Sequence, residues 1–314
     1  MSTVRTISTS ISIAKWPRIA ASVLALCVAE IGLIDTASAQ NVSIPTLQKI
    51  RQYGAIYVGH REASVPFSYY AGEVPVGYSK DICDKVVESI KLHLHDPALK
   101  IVLVPVSSTS RFLMLRTGVI DLECGSTSNT KIRQQSVAFG LTTFITGVKA
   151  VVRKDSGIEK ITDLNGKAVV TTAGTSSERL VKNAMAARKL TVFAKYGRDH
   201  SDSFLQVVKK EADAFVIDDA ILAGLIANST SGDSMKLLEE NFGFEPYGIS
   251  MRRDDPEFKT VVDNSLRAMM KSGEMEALYN KWFMSPIPPN NTNLQIPMSE
   301  ALKEAIRNPT DAGI

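Results

Sequence analysis

Short apolar segments of strand length alternate with segments of helical periodicity along this chain, and this alternation limits the possible folds more than any other feature. Residues 55–59, 100–106, 168–172 and 214–217 are apolar runs of strand length. Stretches such as 81–92 lie between them and carry apolar residues at helical spacing. Strands that alternate with helices through loops of ordinary length are typical of α/β domains with mostly parallel sheets. We therefore predict an α/β fold with mostly parallel sheets flanked by helices.

Two β-rich stretches, 141–153 and 243–251, suggest that the chain crosses twice between two lobes. The 314 residues are enough for one large or two ordinary domains. We predict that residues 40–147 and 243–314 form lobe one and that residues 148–242 form lobe two, joined by two crossing strands. A ligand would then bind in the cleft between the lobes.

The first 39 residues have the layout of a secretory signal peptide. Arg5, Lys15 and Arg18 precede an apolar run at 19–28, and Ala37-Ser38-Ala39 ends the segment before Gln40. The apolar run is too short to cross a bilayer as a helix. We expect cleavage after Ala39 and a mature protein in an extracytoplasmic, oxidising compartment.

Composition excludes some classes of protein. Apolar residues make up 44% and charged residues 22% of the chain, as in soluble globular proteins. The net charge of +3 includes no long block of one sign, so nothing indicates nucleic-acid binding. Three cysteines are too few for a disulfide scaffold. Cys83 and Cys124 could pair outside the cytoplasm if their Cα atoms approach within about 7 Å, which the sequence leaves open.

The stretch 106–129 combines an arginine at a helix start with a loop rich in hydroxyl groups. Arg111 opens a short helix that follows a strand, and Ser126 and Ser128 follow the next strand. A helix N-terminus favours anions, so a guanidinium placed there would suit a carboxylate. The alternative is that Arg111 is a surface cation and the loop an ordinary turn. Residues 173–178 form a second such helix start, for which a simple N-cap is the alternative.

Several short motifs occur in an order and spacing that together are specific. They are GHRE at 59–62, VPFSYY at 65–70, ECGST at 123–127, DHSDSF at 199–204, DDA at 218–220, KWF at 281–283 and PIPPN at 286–290. By these motifs the chain resembles periplasmic amino-acid-binding proteins of ABC transporters, in the glutamate/aspartate-binding branch, from about residue 47 to 309. The resemblance implies the type II periplasmic binding protein fold, a periplasmic monomer without metal or cofactor, and a membrane permease as partner.

The resemblance also implies contacts to L-glutamate or L-aspartate. It assigns Arg111, Ser128, Thr172 and Thr175 to the α-carboxylate, Ser126 and Asp219 to the α-ammonium, and Arg61, Ser108 and His200 to the side-chain carboxylate. Two arginines, one aspartate and hydroxyl donors match two carboxylates and one ammonium in sign. Burial of those charges without partners would be prohibitive.

Two other functions remain open at this point. Some periplasmic dehydratases resemble this fold, and His200, Asp219 and Glu62 could serve as acid and base in such an enzyme. A subunit of a sensory receptor is a further alternative. We favour a binding protein because the polar residues are accounted for as ligand partners. The preference for glutamate or aspartate depends on about one methylene of pocket depth, and weak binding of glutamine or asparagine stays open.

Overall fold

The computed structural model describes residues 44–314, and the predicted signal peptide at 1–39 lies outside them. The helices are α1 (Thr46–Tyr53), α2 (Tyr78–Leu94), α3 (Arg111–Arg116), α4 (Lys131–Gln134), α5 (Ser177–Arg188), α6 (His200–Val208), α7 (Asp219–Ala227), α8 (Pro256–Ser272), α9 (Glu274–Phe283) and α10 (Glu300–Arg307). The strands are β1 (Ala55–His60), β2 (Ala63–Ser64), β3 (Ser68–Ala71), β4 (Val74–Val76), β5 (Lys100–Pro105), β6 (Leu122–Glu123), β7 (Val137–Phe139), β8 (Phe144–Arg153), β9 (Ala168–Thr172), β10 (Phe193–Gly197), β11 (Ala214–Asp218), β12 (Met235–Leu237), β13 (Gly243–Tyr247), β14 (Ser250–Arg252), β15 (Pro286–Ile287) and β16 (Thr292–Asn293).

The first body is built on a five-stranded sheet in the order β5–β1–β6–β14–β7. Strands β5, β1 and β6 are parallel, and β14 is antiparallel to both of its neighbours. The carboxyl ends of parallel strands meet at one edge of a sheet, which is where α/β proteins bind ligands. The segments that begin at Arg61, Val106 and Cys124 therefore leave the sheet side by side.

The second body is built on a six-stranded sheet in the order β10–β9–β11–β8–β12, with β13 also paired to β8. Strands β10, β9 and β11 are parallel, whereas β8 is antiparallel to β11, β12 and β13. The carboxyl ends of β9 and β10 lead into residues 173–176 and 198–199, and β11 ends at Asp218. The predicted α/β fold is confirmed, although the antiparallel strands β7 and β12 were not predicted.

Strands β8 and β13 are the two crossings between the bodies. They pair with each other from Phe144↔Tyr247 to Val148↔Gly243. Asn129 donates its backbone N–H to Pro246 O at 2.7 Å, which ties β13 to the first body. The predicted lobe boundaries fall at the Val148↔Gly243 end of this pair and stay a prediction.

Amphipathic helices cover the sheets as their periodicity predicts. In α2, Ile82, Val86, Val87 and Ile90 are buried. Helix α8 has Asp255 as N-cap, with proline in its first turn, and Gly273 at φ +82° ends it. The C-terminal helix α10 was not predicted; it buries Leu302 and Ala305.

No helix among residues 44–314 is long and apolar enough to span a bilayer.

A disulfide joins Cys83 on α2 to Cys124 at the end of β6, with Cα atoms 6.1 Å apart. The disulfide anchors to the core the start of the loop in which Ser126 and Ser128 lie. The two bonded cysteines are 41 positions apart in the chain. Both cysteines are fully buried.

Replacing both Cys83 and Cys124 with serine should lower the free energy of unfolding by about 2–4 kcal/mol, because the unfolded chain regains loop entropy. Denaturant unfolding of the double variant measures this loss. The wild type in reductant is the matched comparison, with the same bond opened and no residue changed. An unchanged unfolding midpoint in both samples would contradict a stabilising disulfide.

Candidate ligand-binding site

Arg61 follows β1 at the carboxyl edge of the first sheet and is only 3% exposed. Its backbone N–H donates to Ser68 Oγ at 2.9 Å, which fixes the main chain at this position. Gly125 lies against its side chain, since a Cβ there would be 2.7 Å from Arg61 Cγ. Burial and the charge of Arg111 lower the pKa of Arg61 to about 10, so the guanidinium is still charged at neutral pH.

Arg111 is the first residue of α3 and is 1% exposed. Its Nη1 donates to Thr127 Oγ1 at 2.6 Å, and Thr127 in turn donates to Glu123 Oε2 at 2.6 Å. Burial lowers the pKa of Arg111, and the charge of Glu123 opposes that shift. The guanidinium is thus held in place by a hydroxyl group that also donates to Glu123.

His200 begins α6 in the second body and is also buried. Its Nδ1 lies 2.9 Å from Thr172 Oγ1, which lies 2.8 Å from Ser203 Oγ. Burial and the charges of Arg61 and Arg111 hold the pKa of His200 well below its ordinary value, so the imidazole is neutral. This effect of both arginines on His200 shows that groups from the two bodies meet at one place.

Asp218 ends β11 and is buried, whereas its neighbour Asp219 is half-buried and begins α7. Burial and the charge of Glu245 raise the pKa of Asp218 well above its ordinary value. Asp219 accepts a hydrogen bond from Thr146 Oγ1 at 2.8 Å and lines a separate cavity of about 360 Å³. The structure therefore brings Asp218, and not Asp219, to the arginines.

The hydroxyl groups fall into two sets. Ser108 Oγ and Ser126 Oγ are buried and have no hydrogen-bond partner among residues 44–314. The other hydroxyls are engaged: Ser128 donates to Glu245 Oε2 at 2.6 Å, Thr175 donates to Thr172 O at 2.7 Å, and Thr172 contacts His200. The second set holds the site together, and the first set remains available to a ligand.

Buried polar atoms without a hydrogen-bond partner in the described chain concentrate at this site. They include Arg61 Nε and Nη1, Ser108 Oγ, Arg111 Nε, Glu123 Oε1, Ser126 Oγ, His200 Nε2, Asp218 Oδ1, Glu245 Oε1 and Tyr247 Oη. Within residues 44–314 no ion pair joins Arg61 or Arg111 to a carboxylate. Because buried polar groups are normally satisfied, such a cluster marks a place where a charged molecule binds.

Sequence reasoning missed Glu123, Arg133 and Glu245. Arg133 donates to Ser128 O at 2.8 Å and, from the first body, to Gly174 O of the second at 3.3 Å. A usable signal existed for Glu245, which is the one carboxylate in the extended stretch 243–251.

No three His, Cys, Asp or Glu side chains of the described part gather in a way that could hold a metal ion.

The two bodies touch at the rim of the cleft. A Cβ added to Gly174, whose φ is +78°, would lie 2.8 Å from the backbone carbonyl of Ser108. On α7, a Cβ added to Gly224 would lie 2.7 Å from Val65 O. Ser128 Oγ and Ser176 Oγ are 3.2 Å apart. The structure is therefore that of a closed cleft, with the charged groups enclosed.

Gly174→Ala should weaken ligand binding by about 10-fold or more. The added methyl group would clash with the backbone carbonyl of Ser108 in the closed form, and this clash would be absent from the open form. Calorimetry measures the affinity. Gly166→Ala is the matched control: its φ is +70°, but a Cβ there meets nothing within 4 Å. Equal affinities of the two variants would show that the rim contact does not contribute to closure.

Two α/β bodies that enclose buried, unpaired charges between them define a protein that closes around a small charged solute. The chain belongs to the bacterial extracellular solute-binding proteins, family 3, whose family model matches residues 56–285. It is 38% identical to the glutamate/aspartate import solute-binding protein of Escherichia coli (strain K12), over 94% of this chain and 98% of the relative. It is 43% identical to the L-glutamate/L-aspartate-binding protein of Pseudomonas aeruginosa, over 85% of this chain and 89% of the relative.

Solved structures support the same fold. The P235GK mutant of ArgBP from T. maritima has 25% sequence identity and a TM-score of 0.66, covering 75% of this chain and 98% of that one. The ancestral amino-acid-binding protein AncCDT-1, a precursor of cyclohexadienyl dehydratase, has 26% identity and a TM-score of 0.64, covering 76% and 99%. The curated relatives are binding proteins by name, which confirms the prediction that this chain is not an enzyme.

Proposed function

We propose that this protein binds L-glutamate or L-aspartate in the closed cleft and delivers it to the membrane permease of an ABC transporter. The cluster of buried, unpartnered groups carries the proposal, because it presents two guanidinium groups and an acidic group to one enclosed ligand. The relatives that import or bind glutamate and aspartate support it.

The ligand's orientation follows from where the opposite charges lie. Glu123 acts on the pKa of both arginines, whereas Asp218 and Glu245 act on that of Arg111 and Asp199 acts on that of Arg61. An α-carboxylate at Arg111 therefore has its α-ammonium directed toward Asp218. Asp218 takes the role that the sequence assigned to Asp219.

The side-chain carboxylate then lies at Arg61, where Ser108 and His200 also offer unpartnered atoms. Ser126 completes the contacts to the α-ammonium. Thr172, Thr175 and Ser128 act indirectly, since their hydroxyl groups hold other residues of the site. Charge-assisted hydrogen bonds contribute about 1.5–3 kcal/mol each, so four or five suffice for micromolar binding or better, about −8 kcal/mol.

Isothermal titration calorimetry with glutamate, aspartate, glutamine and asparagine tests this function. We expect both acids to bind with a stoichiometry of one. The amides should bind about 100-fold more weakly or worse, because an amide nitrogen would face guanidinium donors. A protein that binds neither acid, or binds glutamine as tightly as glutamate, would contradict the proposal.

We also propose that the mature protein is a periplasmic monomer that begins at Gln40, with residues 1–39 removed as a signal peptide. The family's extracellular character and the basic, apolar and small-residue order of that segment support this. N-terminal sequencing of the exported protein and its sedimentation test both statements. Uptake of labelled glutamate by cells that lack the gene tests the delivery to a permease.

A further inference from the structure

Glu245 lies on β13, one of the two crossing strands, and its side chain is fully buried. Its Oε2 accepts hydrogen bonds from Ser128 Oγ and Ser176 Oγ, each at 2.6 Å. Ser128 belongs to the loop after β6 of the first body, and Ser176 precedes α5 of the second. One carboxylate oxygen is thus held by serines of both bodies at once in this closed structure.

A second buried carboxylate, Asp218, lies on a strand close to that of Glu245, because Asp218 of β11 and Gly243 of β13 both pair with Val148 of β8. Glu245 Oε1 and Asp218 Oδ1 are both buried and lack a hydrogen-bond partner in residues 44–314. Burial and the charge of Glu245 raise the pKa of Asp218, and the hydroxyl group of Tyr247 opposes that shift. Two carboxylates buried near each other repel, and a cation between them removes the repulsion.

The protein's own cations do not fill that position. Arg111 and Arg133 are near enough for Glu245 and Asp218 to act on their pKa values. In the described chain, however, neither arginine forms an ion pair with Asp218 or Glu245, and Arg133 instead donates to Ser128 O and Gly174 O. A small ammonium group with three donors suits two carboxylate oxygens and a neighbouring hydroxyl.

We propose that Glu245 is a second ligand-binding carboxylate, which recognises the α-ammonium together with Asp218 and makes closure depend on it. The inference rests on the proposed function and deepens it. When the cleft closes, the serines of both bodies fix Glu245 beside Asp218. A ligand with an α-ammonium neutralises the pair, so the closed form is stable. A dicarboxylate without an amino group brings no cation to the pair and does not hold the cleft closed.

Glutarate, which is glutamate without its amino group, is the probe, and Glu245→Gln is the variant. Glutamine keeps the shape and an acceptor for the serines but removes the charge. We expect Glu245→Gln to weaken glutamate binding by about 10-fold or more. Glutarate binding should be unchanged or tighter, so the glutamate-to-glutarate affinity ratio falls by about 10-fold or more. Equal losses for both ligands would show a structural role alone and overturn the inference.

Two control variants separate the effect of the charge of Glu245 from the effect of its hydrogen bonds. Ser176→Ala removes one hydrogen bond to Glu245 but no charge, so it should weaken both ligands alike and leave the ratio unchanged. Glu239→Gln makes the same substitution at an exposed position and should change neither affinity. A ratio that falls equally in Ser176→Ala would contradict the role of the charge.

A measurement on the wild type keeps the test decisive if Glu245→Gln does not fold. Small-angle scattering should show a smaller radius of gyration with saturating glutamate and no such change with saturating glutarate. Equal compaction by both ligands would overturn the inference. Failure of the proposed function is a different result, since the wild type would then not bind glutamate at all.

Discussion

Arg111→Ala is expected to abolish detectable binding of every amino acid tested. The α-carboxylate is common to all of them, and Arg111 is the buried cation next to the acidic groups that suit the α-ammonium. Truncation of one partner in a buried charge pair costs about 2–5 kcal/mol, which corresponds to about 30-fold to 5,000-fold in affinity. Calorimetry with glutamate, aspartate and glutamine measures the loss.

The chain offers a matched control in the same helix. Arg116 is the last residue of α3 and is exposed, so Arg116→Ala removes an equal charge without entering the site. Arg111→Lys keeps the charge but loses the bidentate fork, and we expect it to bind weakly. Thermal unfolding must show that Arg111→Ala still folds, because Thr127 and Glu123 lose a neighbour. Retained binding of any amino acid by a folded Arg111→Ala protein would exclude the α-carboxylate role.

Arg61→Ala is expected to weaken glutamate and aspartate binding by about 2–5 kcal/mol, because the side-chain carboxylate loses its buried counter-charge. Unlike the loss at Arg111, this loss should be confined to ligands with an acidic side chain. The residual affinity of Arg61→Ala for glutamine should therefore lie close to that of the wild type. Competition calorimetry with glutamate against glutamine measures the change in preference.

Arg51→Ala is the control for this variant, since Arg51 lies on α1 of the first body and is exposed. It should bind both acids like the wild type. If Arg61→Ala binds glutamate as tightly as Arg51→Ala does, the assignment of Arg61 to the side-chain carboxylate is wrong. If it loses glutamine and glutamate equally, Arg61 supports the site as a whole and does not select an acidic side chain.

The adjacent aspartates show where sequence reasoning fails. Asp218 and Asp219 have the same chemistry and differ by one position, so the motif could not decide between them. The pairing of β11 with β8 places Asp218 opposite Val148 at the end of the strand, and the chain then turns into α7. The turn directs Asp219 toward Thr146 and away from the arginines. Strand register, which is a tertiary property, makes this choice.

The hydroxyl groups of the site show a second limit of prediction from the sequence. Ser126 and Ser128 lie two positions apart in one loop, yet only Ser126 Oγ lacks a partner within the described residues. Thr172 was predicted to face the ligand, but it contacts His200 and Ser203. The sequence identifies which segments reach the site, because the carboxyl ends of parallel strands share an edge. It does not show which hydroxyl a neighbouring side chain already occupies.

Local sequence determined the α/β architecture, the strand ends that carry Arg61 and His200, and the helix start at Arg111, since periodicity and chain order depend on neighbouring residues. Only the tertiary structure decided that the charge of Asp218 acts on Arg111 and that Glu245 joins serines of both bodies. Those contacts link segments far apart in the chain. Their formation depends on strand register and on the closure of one body against the other, which no local pattern encodes.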